Sequence, residues 1–177
     1  MTLAEIRRRT REQTGGQYEI DAQGDPMIDD YINEGMREIC GLRMPREASV
    51  VVRDGKFKAG DAADGFGYAI KLTDAAGSEV AFESHYGYIY AKQDGEYTLY
   101  YAGSPEAMRQ DGDVAPIPEG YHGALADYAS WRILALGGAA RQARAQYFFA
   151  RYQLAQMSVG KWLDGQMGKR RIRNKYR

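Results

Sequence analysis

The chain has 177 residues, enough for one domain with a core or for one domain carrying an insertion. Hydrophobic residues make up 44% and charged residues 27%, which is typical of a soluble globular protein. The single cysteine, Cys40, cannot form an internal disulfide, which argues against a secreted, disulfide-stabilised scaffold. No stretch approaches the roughly 18 apolar residues of a membrane helix, and MTLAEIRRRT lacks the apolar segment of a signal peptide. We therefore expect a protein made in a reducing cytoplasm, with no membrane partner.

The net charge of zero hides an uneven distribution. The last ten residues, 168–177, contain six basic side chains and no acid, so this segment carries +6 and the rest of the chain −6. Such a segment buries little surface, and its partner should be acidic, either a protein groove or a nucleic-acid backbone. The alternative is a solubilising tail with no specific role.

Two helices are predicted near the N-terminus. Thr2 and Glu5 have the spacing of a capping box, so the first helix should begin there and run to about Thr14. The second should begin at Pro26, which suits a first helical position. Apolar residues recur along it at helical spacing: Ile28, Ile32, Met36 and Ile39.

Residues 47–102 alternate between apolar and polar types, which predicts five or six short antiparallel strands. Asp94-Gly95 suggests a two-residue hairpin turn between an arm at 86–90 and an arm at 97–101. One face of this hairpin should pack on the core, so Ile89, Leu99 and one set of tyrosines should not all be internal. We therefore predict that at least two hairpin tyrosines lie at a subunit or partner contact, the candidates being Tyr86, Tyr88, Tyr90, Tyr97 and Tyr101.

Two more helices are predicted after the proline-containing loop at 103–119, separated by Gly137-Gly138. The last is long and carries two adjacent apolar stripes, too wide an apolar face for a lone surface helix. One stripe consists of Ala143, Tyr147, Ala150, Leu154 and Met157, and its neighbour of Phe148, Tyr152, Ala155, Val159 and Trp162. We expect one side to be buried in its own bundle. The other side lies either in the same core or in a neighbouring subunit.

This order of elements predicts an α+β fold. Residues 1–46 and 103–167 should form a helical bundle from both ends of the chain. Residues 47–102 should form an inserted small antiparallel β sandwich or barrel, projecting from the bundle. Residues 168–177 form the basic C-terminal tail.

Candidate sites for chemistry are weak. His85 and His122 have no metal-ligating neighbours at the usual spacing. Asp111 and Asp113 match the start of a calcium loop, but no Glu follows at the required position. No nucleophile, base and acid occur in a recognisable set. The sequence therefore predicts no catalytic residue, no metal, no cofactor and no enzymatic activity.

Four segments carry a resemblance to known proteins. TLAEIRRRTREQTG and IDDYINEGMREI near the start, with GYHGALADYASWRILALGG and ARAQYFFARYQLAQM near the end, resemble the head-to-tail adaptor proteins of tailed phages. The type they resemble has a β insertion between helical ends. The similarity spans most of the chain and is carried by pattern, without an invariant catalytic motif.

The resemblance implies a structural protein of the virion neck, assembled in the host cytoplasm. It implies a ring of identical subunits, expected to be a dodecamer, docked on the portal protein and followed by a tail or stopper protein. DNA would pass through the ring without specific binding during genome ejection. In similar adaptors the C-terminal segment anchors on the portal, which by position implicates Lys169, Arg170, Arg171, Arg173, Lys175, Tyr176 and Arg177.

Other functions stay open at this point. A different neck or tail ring, such as a stopper or tail terminator, would share the same general features. A nucleic-acid-binding accessory protein would use the tail on phosphates, but its body should then be basic, whereas here it is acidic. A hydrolase is the most distant alternative.

Overall fold

The computed structural model describes residues 1–15 and 26–166, which form a mixed α+β protein. The helices are α1 (Leu3–Thr14), α2 (Pro26–Cys40), α3 (Ala59–Ala62), α4 (His122–Ala135) and α5 (Ala139–Gln166). The strands are β1 (Met44–Val52), β2 (Lys56–Lys58), β3 (Phe66–Thr73), β4 (Glu79–Val80), β5 (Phe82–His85), β6 (Tyr88–Ala91) and β7 (Gly95–Gly103). The predicted α+β class is confirmed.

The chain divides into two compact units. The helical unit comprises residues 1–40 and 106–162, and the β unit comprises residues 41–105 together with the end of α5 from Leu163. The boundaries predicted for the bundle and the insertion, 46/47 and 102/103, stay a prediction.

The capping box at the start of α1 is confirmed. The Thr2 hydroxyl accepts a hydrogen bond from the Glu5 N–H, and the Glu5 carboxylate accepts one from the Thr2 N–H at 2.8 Å. The helix ends at Gly15, whose φ of 78° is the left-handed conformation that terminates helices. Both ends of this element therefore follow from local chemistry that the sequence displays.

Helices α2 and α4 pack closely in the helical unit. The predicted stripe of α2 is fully buried at all four positions, Ile28, Ile32, Met36 and Ile39. A Cβ atom at Gly35 would lie 2.7 Å from Cγ of Tyr128, so only glycine permits this approach. Asn33 also fixes the loop before α4, because its amide donates to the Met108 carbonyl oxygen (2.9 Å) and accepts from the Met108 N–H (2.8 Å).

Seven antiparallel strands of the β unit form two sheets, in the orders β1-β7-β3-β4 and β2-β6-β5. The two sheets share one apolar core, and the described strands do not close into a barrel. Both sheets contribute to this core, which includes Val50, Val52, Phe57, Leu72, Ile89, Tyr97, Leu99 and Tyr101.

The predicted hairpin around Asp94-Gly95 is wrong. Strand β6 pairs with β2 and β5, whereas β7 pairs with β1 and β3. The two-residue turns lie elsewhere, at Asp54-Gly55 and Tyr86-Gly87, where all four residues have positive φ as in a type I′ turn. Asp94 supports the first of these turns, since its carboxylate accepts hydrogen bonds from the N–H groups of Asp54 (3.1 Å) and Gly55 (2.7 Å).

The expectation that Ile89, Leu99 and one set of tyrosines could not all be internal is wrong for the same reason. Strands β6 and β7 lie in different sheets, and the inner faces of both sheets line the shared core. Ile89, Leu99, Tyr97 and Tyr101 are therefore all buried.

Candidate interaction surfaces

One apolar stripe of α5 is exposed along its whole length. The exposed seam consists of Ala143, Tyr147, Ala150, Leu154 and Met157. Its large side chains Tyr147, Leu154 and Met157 are 59%, 67% and 65% exposed. The neighbouring stripe is the opposite case, because Phe148, Tyr152 and Val159 are buried and Ala155 and Trp162 half-buried.

Aromatic contacts set the rotation of α5. The ring of Tyr152 meets that of Tyr128 edge-on at a centroid distance of 4.8 Å, and its hydroxyl donates to the Gly35 carbonyl oxygen at 2.9 Å. The Phe149 ring packs against the Trp131 ring of α4, with a distance of 4.4 Å between the ring centroids. Burial raises the pKa of Tyr152 and raises the pKa of Tyr128 to about 12, so both hydroxyls keep their protons at neutral pH. These contacts hold the buried stripe against the rest of the helical unit, so the seam faces solvent.

Helix α5 itself places no negative charge along the seam. Between Ala139 and Leu163, α5 contains four basic residues and no acid: Arg141, Arg144, Arg151 and Lys161. A shallow depression of about 470 Å³ lies on the seam, lined by Ala150, Gln153, Leu154, Gln156 and Met157. The spacing of four, three, four and three residues is that of a helix–helix contact. The seam therefore fits the apolar face of another helix.

A buried polar cluster lies beside the seam. Asp127 is 3% exposed, accepts a hydrogen bond from the Gln13 amide at 2.7 Å and pairs with Arg151 at 3.1 Å. Burial raises the pKa of Asp127, and the contacts with Gln13 and Arg151 partly oppose this rise. The Ser130 hydroxyl donates to the Gln13 side-chain oxygen at 2.6 Å, so the cluster joins α1 to α4. The Ser130 hydroxyl donates to an amide oxygen and not to a base, so the arrangement is that of a structural network.

The outer face of the β2-β6-β5 sheet carries two rows of paired side chains. Strand register places Lys56, Tyr90 and Glu83 in one row, and Lys58, Tyr88 and His85 in the next. Tyr88 and Tyr90 are 37% and 39% exposed, and Tyr86 at the turn is fully exposed. We call this surface, with Tyr86 included, the tyrosine face.

The predicted contact tyrosines thus divide into two groups. Tyr86, Tyr88 and Tyr90 are available to a partner on the tyrosine face. Tyr97 and Tyr101 are 8% and 2% exposed and lie in the core of the β unit, so they have little surface to offer. The residues assigned to portal binding, Lys169, Arg170, Arg171, Arg173, Lys175, Tyr176 and Arg177, lie outside the described residues.

Other polar residues noted in the sequence are used internally. The His122 ring is buried and its Nε2 lies 2.7 Å from the Ile117 carbonyl oxygen. Asp111 pairs with Arg7. The Asp113 carboxylate accepts hydrogen bonds from the N–H groups of Gln110 (2.9 Å) and Arg109 (2.7 Å), which lower its pKa. Within residues 1–15 and 26–166, no three His, Cys, Asp or Glu side chains are grouped as metal ligands, and no helix combines the length and hydrophobicity needed to span a membrane.

Sequence reasoning missed the basic and histidine neighbours of the exposed tyrosines. Lys56, Lys58 and His85 join Tyr88 and Tyr90 only through strand pairing across β2, β6 and β5. The Asp54-Gly55 dipeptide was the available signal, because it has the composition of a type I′ turn and lies between the apolar run 50–52 and Phe57. Comparison with known proteins adds nothing here: no family model matches the chain, and no curated protein sequence matches it.

Proposed function

We propose that the protein is a structural subunit of a tailed-phage particle, an adaptor that assembles as a ring on the portal and forms part of the DNA exit channel. In this proposal the helices from both chain ends form the ring-building bundle, and the β unit is an insertion within it. The partners are the portal, a tail or stopper protein and further copies of the same chain.

The exposed seam of α5 carries the proposal. Five apolar positions span about 21 Å of helix, at about 1.5 Å per residue, and all five are exposed. A lone globular domain gains nothing by exposing such a stripe, whereas a ring subunit needs an apolar contact that is covered only on assembly. The resemblance of the terminal helices to phage adaptors supports the same function.

Charge supports the division between ring body and anchor. The +6 segment at 168–177 suits an acidic portal groove, and the −6 remainder suits a wall that passes DNA without retaining it. A stopper or tail terminator is the second candidate, because the seam alone does not distinguish one neck ring from another.

Replacing the seam's two largest aliphatic side chains tests the ring contact. The double variant Leu154→Gln/Met157→Gln should fold normally, since both side chains are mostly exposed. Saturating purified portal rings should require a roughly tenfold higher concentration of this variant than of the unsubstituted protein, because central apolar residues dominate interface energies. Mass measurement by light scattering on the portal complex gives the occupancy. Leu136→Gln is the matched control, as Leu136 is 70% exposed in the same unit but outside the seam. Equal occupancy for both variants would exclude the seam as the ring contact.

Removal of residues 168–177 tests the anchor. The thermal midpoint should stay almost unchanged, because a uniformly charged segment buries little, while portal binding should fall sharply. A full-length variant with the six basic residues replaced by Gln separates charge from chain length. Full portal affinity after truncation would reduce the tail to a solubilising role.

Assembly should depend on the portal. The tail, once bound, concentrates subunits around the ring, so weak side-to-side contacts become effective. We expect a monomer in dilute solution and a closed ring only with portal present, measured by light scattering. A stable ring at micromolar concentration without portal would contradict templated assembly but not the adaptor function.

A further inference from the structure

We propose that uptake of a proton by the buried Asp127 carboxylate releases Arg151, and that this release alters the exposed seam at Tyr147. Arg151 lies between the two groups. Its Nε atom is 3.1 Å from Oδ2 of Asp127, and its guanidinium carbon is 5.5 Å from the centre of the Tyr147 ring. The inference concerns the single subunit and does not depend on the adaptor function.

Both oxygen atoms of the Asp127 carboxylate face hydrogen-bond donors. The Gln13 amide donates to Oδ1 at 2.7 Å, and Arg151 contacts Oδ2. Neither a guanidinium nor an amide NH2 group can accept a hydrogen bond. A proton can therefore be added to either oxygen only where the donor that faces it moves away.

Arg151 is the donor that can leave. Gln13 is held on both sides, because the Ser130 hydroxyl donates to its side-chain oxygen at 2.6 Å and the Arg144 guanidinium donates to its carbonyl oxygen at 2.7 Å. The Arg151 side chain, in contrast, is 38% exposed and can be solvated. Protonation of Asp127 also removes the attraction between opposite charges that keeps Arg151 in place.

The release reaches the seam through Tyr147. Tyr147 and Arg151 are four residues apart on α5 and are therefore neighbours on the helix surface. Besides the ring contact, Nη1 of Arg151 lies 3.5 Å from the Tyr147 hydroxyl. A cation near an aromatic ring attracts the ring, so Arg151 holds the Tyr147 side chain while Asp127 holds Arg151. After release, Tyr147 loses a fixed neighbour and the seam gains a positive charge that Asp127 no longer balances.

A depression beside the seam gives water access to Asp127. It has a volume of about 290 Å³, and its lining includes Asp127, Arg151 and Leu154 of the seam. The other charged or titratable groups that line it are Arg9, Glu119, Tyr121 and the α-amino group of Met1, which contacts His122.

The environment of Asp127 favours proton uptake in mild acid. Burial raises the pKa of Asp127, whereas the hydrogen bond from Gln13 and the charges of Arg151 and Arg9 lower it, and the net direction is upward. Release of Arg151 should therefore occur above the ordinary pKa of an aspartate, which is about 3.9.

The experiment labels Tyr147 of the full chain with fluorine and follows its fluorine NMR signal from pH 7 to about pH 4. The signal should shift in one step as Arg151 leaves the ring. Asp127→Asn should abolish the step, because its side chain takes up no proton in this range. Arg151→Gln should abolish it as well, because the group that connects Asp127 to Tyr147 is gone.

Two controls complete the test, with the fold of each variant checked by circular dichroism. Arg141→Gln is the matched variant, because Arg141 is an exposed arginine in the first turn of the same helix, and it should keep the step. A fluorine label on Tyr68, an exposed tyrosine of β3, should give no step.

Three results would overturn the proposal. A flat signal at Tyr147 in the unsubstituted protein would show that no such release takes place. A step that persists in Asp127→Asn would assign the titration to another group, such as Glu119 or His122. A step that is lost in Asp127→Asn but kept in Arg151→Gln would show that Arg151 does not transmit the change.

Discussion

Helix α5 presents two apolar stripes, of which one is buried and the other is exposed. The buried stripe places Phe148, Tyr152 and Val159 against the rest of the helical unit, whereas the exposed seam leaves Tyr147 and Leu154 mostly in solvent. Apolar content therefore does not decide which side turns inward. Shape does, because Tyr152 finds an edge-on partner in Tyr128 and a carbonyl acceptor at Gly35.

The two stripes have different uses. Side chains of the buried stripe stabilise the subunit, and side chains of the seam are available to a partner. Substitutions in the buried stripe should then affect the stability of the subunit, and substitutions in the seam should affect its assembly.

The largest effect is expected at Tyr152. Replacing Tyr152 by Ala should reduce the free energy of unfolding by about 3–5 kcal/mol, since it removes a fully buried ring and the hydrogen bond to the Gly35 carbonyl oxygen. Leu154→Ala, two residues away on the exposed seam, should change it by less than about 0.5 kcal/mol. Urea denaturation of both variants gives the two values. Similar destabilisation by the two substitutions would mean that the seam is covered within the subunit.

A smaller effect is expected at Gly35. A Cβ atom there would lie 2.7 Å from the Tyr128 ring, so Gly35→Ala should cost about 1–3 kcal/mol as α2 and α4 are forced apart. Gly165→Ala near the end of α5 is the control, since no atom lies within 4 Å of its Cβ position and alanine favours the helix by up to about 1 kcal/mol. In thermal denaturation, a lower midpoint for Gly35→Ala and a higher midpoint for Gly165→Ala would support the close packing of α2 on α4. A neutral Gly35→Ala would show that Tyr128 can move aside.

Helical parts of the fold could be predicted because their signals are local. Capping at Thr2 and Glu5 involves residues three apart, and the α2 stripe repeats within one helix. The two stripes of α5 were visible in the same way. Which of them would be buried was not, because that depends on Gly35 and Tyr128, which are distant in sequence.

Strand pairing could not be predicted with the same success. Neighbouring segments with alternating tyrosines suggested one hairpin, but Asp94 supports the turn at Asp54-Gly55, and β6 and β7 join different sheets. Alternation shows that a residue faces one side of a strand without showing which strand lies next to it. The tyrosine face is formed by three strands in register. The sequence therefore predicted its exposed tyrosines but not their neighbours on β2 and β5.

The smallest effect is expected at Asp127, where the border of the seam meets the core through Arg151. Burial raises the pKa of this carboxyl in the folded chain, so the folded state binds the proton more readily than the unfolded state. As the pH falls from the folded pKa to the unfolded pKa, protonation of this group therefore raises the stability of the fold. Above the folded pKa the carboxylate is ionised, and the full cost of burying its charge is present. Asp127→Asn keeps an oxygen for the Gln13 amide and removes the charge pair with Arg151, which is 38% exposed and can be solvated. At pH 7 the change in stability should stay below about 1 kcal/mol, of either sign. Urea midpoints measured from pH 7 to about pH 4 should show the unsubstituted protein gaining stability relative to the variant on acidification. The reverse trend would mean that Gln13 and Arg151 outweigh burial and that the ionised carboxylate is the form the fold prefers.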